Sequence, residues 1–120
     1  LKDAIVHTDM KPEAFALSLK KAFEEVNRIT YRMGQQDPYL KGMGTTLICL
    51  QLIGTSALLG HIGDSRIYRL RKGVLKQMTK DHSLLSELIE MGQIQPEEAD
   101  EFMYKNILTR AVGTEPTVEP

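Results

Sequence analysis

The chain has 120 residues, 42% of them hydrophobic and 26% charged, with a formal net charge of -1. A single domain of this length buries roughly two-thirds of the surface its unfolded chain exposes, so one hydrophobic core is feasible. The near-neutral balance lacks the basic field that phosphate-backbone binding requires, and no nucleic-acid partner is expected.

Two further bounds concern location. No apolar run reaches the ~18 residues of a membrane helix, and no signal peptide is visible, so no membrane segment is expected. The single cysteine, Cys49, lies inside an apolar run. It leaves no intramolecular disulfide and no cysteine-based metal motif, which fits the cytoplasm. The sequence opens on Leu1 and closes on Thr117-Val118-Glu119-Pro120 without a terminating element, which reads as a piece of a longer protein.

Pro12 suits the first position of a helix, where a missing N–H costs nothing. From there Phe15, Leu19, Ala22, Phe23, Val26, Ile29 and Met33 recur at three- and four-residue steps, predicting an amphipathic helix that ends near Gly34. A polar connector containing Pro38 follows. Residues 45–53, 56–62, 66–71 and 74–79 are short β-rich runs separated by Gly54-Thr55, Gly63-Asp64-Ser65 and Lys72-Gly73. Links this short join strands that reverse direction, so the four runs predict an antiparallel meander. The first two runs are apolar almost throughout, as for strands covered on both faces.

After Asp81-His82-Ser83 the period lengthens again. Leu84, Leu85, Leu88 and Ile89 predict a short helix, capped by Asp81 or Ser83 and ended by Gly92. Gln95-Pro96-Glu97-Glu98 reads as a second helix start, and residues 106–112 as a return to strand. Helices flanking a run of antiparallel strands define an α+β fold.

Isolated residues carry little chemistry. Gly42-Met43-Gly44-Thr45-Thr46 lacks the lysine and following helix of a phosphate loop and reads as a bend, with close backbone approach accounting for Gly44. His7, His61 and His82 are far apart and have no second ligand at metal spacing. Ser65 has no identifiable base, and Cys49 reads as core. No catalytic side chain is assigned. Asp64, at the end of a strand pair, is an oxygen donor of the kind Mg²⁺ and Mn²⁺ prefer, yet alone it reads as a turn aspartate.

Four segments together say more: Gly42-Met43-Gly44-Thr45-Thr46-Leu47, His61-Ile62-Gly63-Asp64-Ser65-Arg66-Ile67-Tyr68, Met78-Thr79-Lys80-Asp81-His82-Ser83 and Asn106-Ile107-Leu108-Thr109-Arg110-Ala111-Val112-Gly113. In this order and at these intervals they resemble the motifs of bacterial type 2C (PPM) metal-dependent Ser/Thr protein phosphatases. Gly92-Gln93-Ile94-Gln95-Pro96-Glu97-Glu98-Ala99 resembles the flap segment of bacterial members.

The resemblance implies part of a four-layer α-β-β-α sandwich. It also implies hydrolysis of phosphoserine and phosphothreonine at a binuclear Mg²⁺ or Mn²⁺ centre, where paired cations activate water and neutralise phosphoryl charge. Asp64 takes the position of a ligand to a third, weaker metal. Arg66, Asp81 and His82 take positions that support turn and loop geometry. The motifs that carry the phosphate-binding arginine and the principal metal aspartates have no counterpart in these residues, so residues 1–120 read as one partial domain, its centre. By itself such a piece is expected to be inactive and to self-associate through unpaired edges. Implied partners are phosphorylated protein substrates of a Ser/Thr kinase. The alternative reading is a non-catalytic pseudophosphatase or interaction module on the same scaffold.

Overall fold

The computed structural model describes residues 11–120. His7 lies outside them. Helix α1, Pro12–Gln36, begins with proline in its first turn and runs two residues past the expected stop at Gly34. Gly34 does not end the helix because it is a packing position: a Cβ there would lie 3.2 Å from the Leu40 carbonyl oxygen. The stop comes from Pro38, which disfavours helical geometry at the residue before it. Asp37 is accordingly extended, and its carboxylate accepts the Tyr39 amide at 2.9 Å to cap a 3₁₀ turn, Pro38–Leu40.

Strands β1 (Leu47–Ile53) and β2 (Ser56–Ile62) form an antiparallel hairpin whose register runs from Leu47 opposite Ile62 to Ile53 opposite Ser56. Strands β3 (Tyr68–Arg71) and β4 (Val74–Gln77) form a second hairpin, closed by Lys72 and Gly73, both at positive φ as a two-residue turn requires. The two hairpins are separate two-stranded sheets. The expected four-stranded meander is therefore not formed. The cause is the segment between β2 and β3, where Gly63, Arg66 and the Ile67 amide bond to residues 79–82 and Ser65 bonds to Thr46, so that β2 and β3 are not paired. Ile67 N–H, for example, donates to Thr79 Oγ1 at 3.2 Å.

Helix α1 lies over the inner face of the first hairpin. Gly60 is the contact point: a Cβ there would lie 3.0 Å from Leu19 and 3.2 Å from Phe23, so a larger residue would push the helix off the sheet. Phe23, Ile62 and Val112 form the buried core, with Leu19, Val26, Leu47, Cys49 and Val118 packed around them. The outer face of β1 is open instead. Ile48, Leu50 and Leu52 are 44%, 56% and 75% exposed, so β1 is covered on one face and not on both. The smallest extent, 21 Å, matches two layers of about 10 Å each, one of helix and one of sheet.

Helix α2, Leu84–Glu90, is capped by Ser83, whose Oγ accepts the Ser86 amide at 3.2 Å. Gly92 follows it with φ 73°, in the left-handed conformation that ends helices. The segment 96–101 is a 3₁₀ helix, Pro96–Glu101. The expected strand over 106–112 is reduced to isolated bridges pairing Ser83 with Leu108 and Thr45 with Val112. Among the described residues no helix is long and apolar enough to cross a membrane.

Candidate functional site

The turn that follows β2 is fixed by one glycine. Gly63 has φ 102°, and a Cβ there would lie 2.5 Å from Thr46 Cγ2, so any side chain is excluded twice, by backbone strain and by contact. This close approach lets the Ser65 and Thr46 hydroxyls hydrogen-bond at 2.6 Å, joining the turn to the chain entering β1. That entering segment has its own anchor. Thr45 and Val112 exchange both backbone hydrogen bonds, at 3.1 and 2.8 Å, and a Cβ on Gly44 would lie 3.1 Å from the Val112 carbonyl oxygen. Close backbone approach thus accounts for Gly44, as its sequence context suggests.

On its other side the turn is held by residues 77–82. Arg66 donates to both Asp81 carboxylate oxygens, Nε to Oδ1 at 2.9 Å and Nη2 to Oδ2 at 2.6 Å, and Nη1 donates to the Tyr68 hydroxyl at 3.1 Å. A forked pair of this kind fixes orientation as well as charge, and the hydrogen bonds that Arg66 donates to Asp81 and Tyr68 raise its pKa further. Gln77 donates to the Thr79 carbonyl at 2.7 Å and closes the same loop.

His82 clasps Gly63 from both sides. Its backbone N–H donates to the Gly63 carbonyl at 3.0 Å, and its Nδ1 accepts the Gly63 N–H at 3.1 Å. Its carbonyl accepts the Thr109 amide at 3.0 Å, tying in the fourth segment. The His61 ring stacks on the His82 ring, with centroids 4.4 Å apart and planes inclined by 19°. His61 is satisfied within the protein, its Nε2 donating to the Lys80 carbonyl at 2.7 Å. Burial, then the neighbouring His61, lowers the His82 pKa to about 4.

Asp64 stands apart from these bonds. Its neighbours Ser65 and Arg66 are engaged, whereas its carboxylate is exposed at the rim of the turn. It offers one hard oxygen donor to a cation. Among the described residues no group of three or more His, Cys, Asp or Glu side chains is arranged to hold a metal, so a complete coordination sphere needs ligands from outside them.

The structure therefore gathers around Gly63 and Asp64 four segments that are dispersed in sequence. It places Arg66, Asp81 and His82 as supports of that turn. Sequence reasoning missed Asn27, which is 1% exposed and joins α1 to the segment after Val112, and missed Thr46 and Thr79 as partners of the turn. The available signal for Asn27 was its position four residues after Phe23 on the apolar stripe of α1.

No protein-family model matches the chain. It is 44% identical over 94 residues to protein phosphatase PhpP of Streptococcus pneumoniae, covering 78% of this chain and 38% of that one. It superimposes on the crystal structure of the serine/threonine phosphatase Stp1 from Staphylococcus aureus with a TM-score of 0.87 and 33% identity, over 92% of this chain and 44% of that one. It also matches the catalytic domain of the serine/threonine protein phosphatase PstP, solved in complex with two manganese ions, with a TM-score of 0.75 and 37% identity, over 93% and 46% of the two chains. The chain belongs to the PPM-type Ser/Thr protein phosphatase family. It spans less than half the length of these relatives.

Proposed function

We propose that the whole protein containing these residues hydrolyses phosphoserine and phosphothreonine in proteins at a binuclear Mn²⁺ or Mg²⁺ centre, opposing a Ser/Thr kinase in the bacterial cytoplasm. The observation that carries this reading is the convergence of the four family motifs on one turn that presents Asp64. When bound, the metals supply water activation and charge neutralisation at the phosphoryl group. In this chain Asp64 is the residue that would hold a metal, as a secondary ligand. Arg66, Asp81, Thr46 and His82 keep its turn in place.

The open apolar face of Ile48, Leu50 and Leu52 supports a second half of the fold packed against this one, completing a four-layer α-β-β-α sandwich. Without that half the 120 residues self-associate and turn over little substrate. The test is para-nitrophenyl phosphate hydrolysis by the whole protein with added Mn²⁺. Turnover that rises with Mn²⁺ and stops with a chelator supports the reading, and turnover indifferent to both overturns it.

The lack of a three-ligand cluster among the described residues favours a second reading, a non-catalytic module on the same scaffold. Sequencing the whole protein separates the two: finding an Asp-Gly motif before Leu1 and an Asp-Asn motif after Pro120 would decide for the enzyme, and lacking them would decide for the module.

A further inference from the structure

The two stacked imidazoles have assigned tautomers, because each bonds to a backbone group with a single possible role. A carbonyl only accepts, so His61 carries its proton on Nε2, facing Lys80. A backbone amide only donates, so His82 Nδ1 presents a lone pair to Gly63 and the His82 ring proton sits on Nε2. The consequence is asymmetric. His61 can take a second proton on Nδ1 and keep its bond to Lys80. His82 can take one only on Nδ1, and that proton breaks the bond to the Gly63 N–H.

We propose that His82 is a positioning residue for Asp64: its Nδ1 lone pair holds the Gly63 amide and thereby fixes the turn that presents the Asp64 carboxylate. The inference rests on the reading of Asp64 as a metal ligand for its functional meaning, but its geometry does not. Gly63 immediately precedes Asp64, it packs so closely on Thr46 that no Cβ fits, and both of its backbone polar groups are taken by His82. Stacking on His61 sets a second imidazole against the His82 ring, and a positive charge on His82 is disfavoured there. The other groups that face His82 are Lys80 before it, Glu87 on α2 and Arg110 in the segment packed beside it. Lys80 and Arg110 oppose a positive ring and Glu87 favours one.

Two substitutions separate an acceptor role from a packing role. His82→Asn places Oδ1 near the position of Nδ1 and keeps the acceptor while losing the ring. His82→Phe keeps the ring and its stacking and loses the acceptor. The measurement is hydrogen exchange at the Gly63 amide in the whole protein, with the His82 ring nitrogens followed by ¹⁵N NMR in the wild type. The expected result is an Nε2–H tautomer of His82. Gly63 protection should be kept in His82→Asn and weakened about tenfold in His82→Phe. On acidification, Gly63 protection should fall together with protonation of the His82 ring.

Half-maximal turnover should require several-fold more Mn²⁺ in His82→Phe, with most of the change reversed in His82→Asn. An Nδ1–H tautomer, or protection kept by Phe and lost with Asn, overturns the proposal. If either variant fails to fold, the wild-type tautomer and its pH course still decide. Absence of turnover in every form would count against the phosphatase reading alone, because the tautomer and exchange results do not depend on activity.

Discussion

Asn27 Oδ1 accepts the Gly113 amide at 2.8 Å across 86 positions of sequence, while Asn27 Nδ2 donates to the Glu115 carbonyl at 3.0 Å. One amide side chain thus stands in for a strand partner. It gives the segment after Val112 a donor and an acceptor, and so fastens it to α1 beside the core residue Phe23. Replacing Asn27 with Ala leaves a buried backbone donor and an acceptor without partners. The buried Gly113 donor costs about 1–3 kcal/mol and the Glu115 carbonyl, on an exposed residue that water reaches, adds less, so Asn27→Ala is expected to lower the unfolding free energy by about 1–3 kcal/mol. Urea denaturation measures it. A midpoint unchanged from wild type would show that water replaces both bonds.

Gly113 shares this junction, but the steric test is cleaner at Gly63. A methyl group on Gly63 meets Thr46 and forces an L-residue into φ 102°. Gly63→Ala is expected to destabilise the protein by about 1–3 kcal/mol from backbone strain, with more from the contact. Pairing it with Thr46→Ser, which removes the obstructing methyl and keeps the hydroxyl for Ser65, should recover part of the loss. No recovery in the double mutant would place the cost in the backbone and in the remaining 2.9 Å contact with the residue 46 Cβ.

These two glycines mark the boundary of what the sequence shows. The turns at Gly54-Thr55 and Lys72-Gly73 were legible because a two-residue reversal is encoded by the residues that make it. So was the side of α1 that carries Phe15, Leu19 and Phe23, since helical period places them together. The absence of pairing between β2 and β3 was not legible. It depends on Thr79, Asp81 and His82, which reach back over the turn from the far side of the second hairpin, and nothing local to Gly63-Asp64-Ser65 announces them. The same holds for the single-face burial of β1: Ile48, Leu50 and Leu52 look like core residues and are exposed among the described residues. Asp64 itself gained meaning only from the order of the motifs, because an exposed aspartate in a turn has no local mark of metal binding. Arg66, Asp81 and His82 were read as supports of the turn, and their hydrogen bonds show them in that place.

The lowered pKa of His82 has a consequence for stability. The unfolded chain binds a proton near pH 6.5 and the folded one near about 4. Between these values the unfolded state holds more protons, so stability rises with pH there. The contribution is fully present above about pH 6.5 and is lost as pH falls towards about 4. After allowance for solvent screening of a partly exposed ring it amounts to about 1–2 kcal/mol. Unfolding free energies measured at pH 7 and pH 4.5 in wild type and His82→Asn should differ more in the wild type. Equal slopes would remove His82 as the source.

Asp64 and Asp81 offer a contrast that separates binding from scaffolding. Asp64 is exposed and takes no part in the bonds that hold its turn, so Asp64→Ala should shift stability by no more than about 0.5 kcal/mol. In the whole protein the same substitution removes a ligand, and Mn²⁺-dependent turnover is expected to fall roughly 10- to 100-fold, as changes around metal sites do. Asp81→Ala should act in the opposite order. It leaves Arg66 without its forked partner, removes one of the ties between the turn and residues 79–82, and lowers stability by about 1–2 kcal/mol, with turnover falling because the turn is loosened. Melting curves and Mn²⁺ titrations of both variants settle the assignment. If Asp64→Ala melts early, or if it keeps wild-type turnover and metal dependence, Asp64 is only a turn residue.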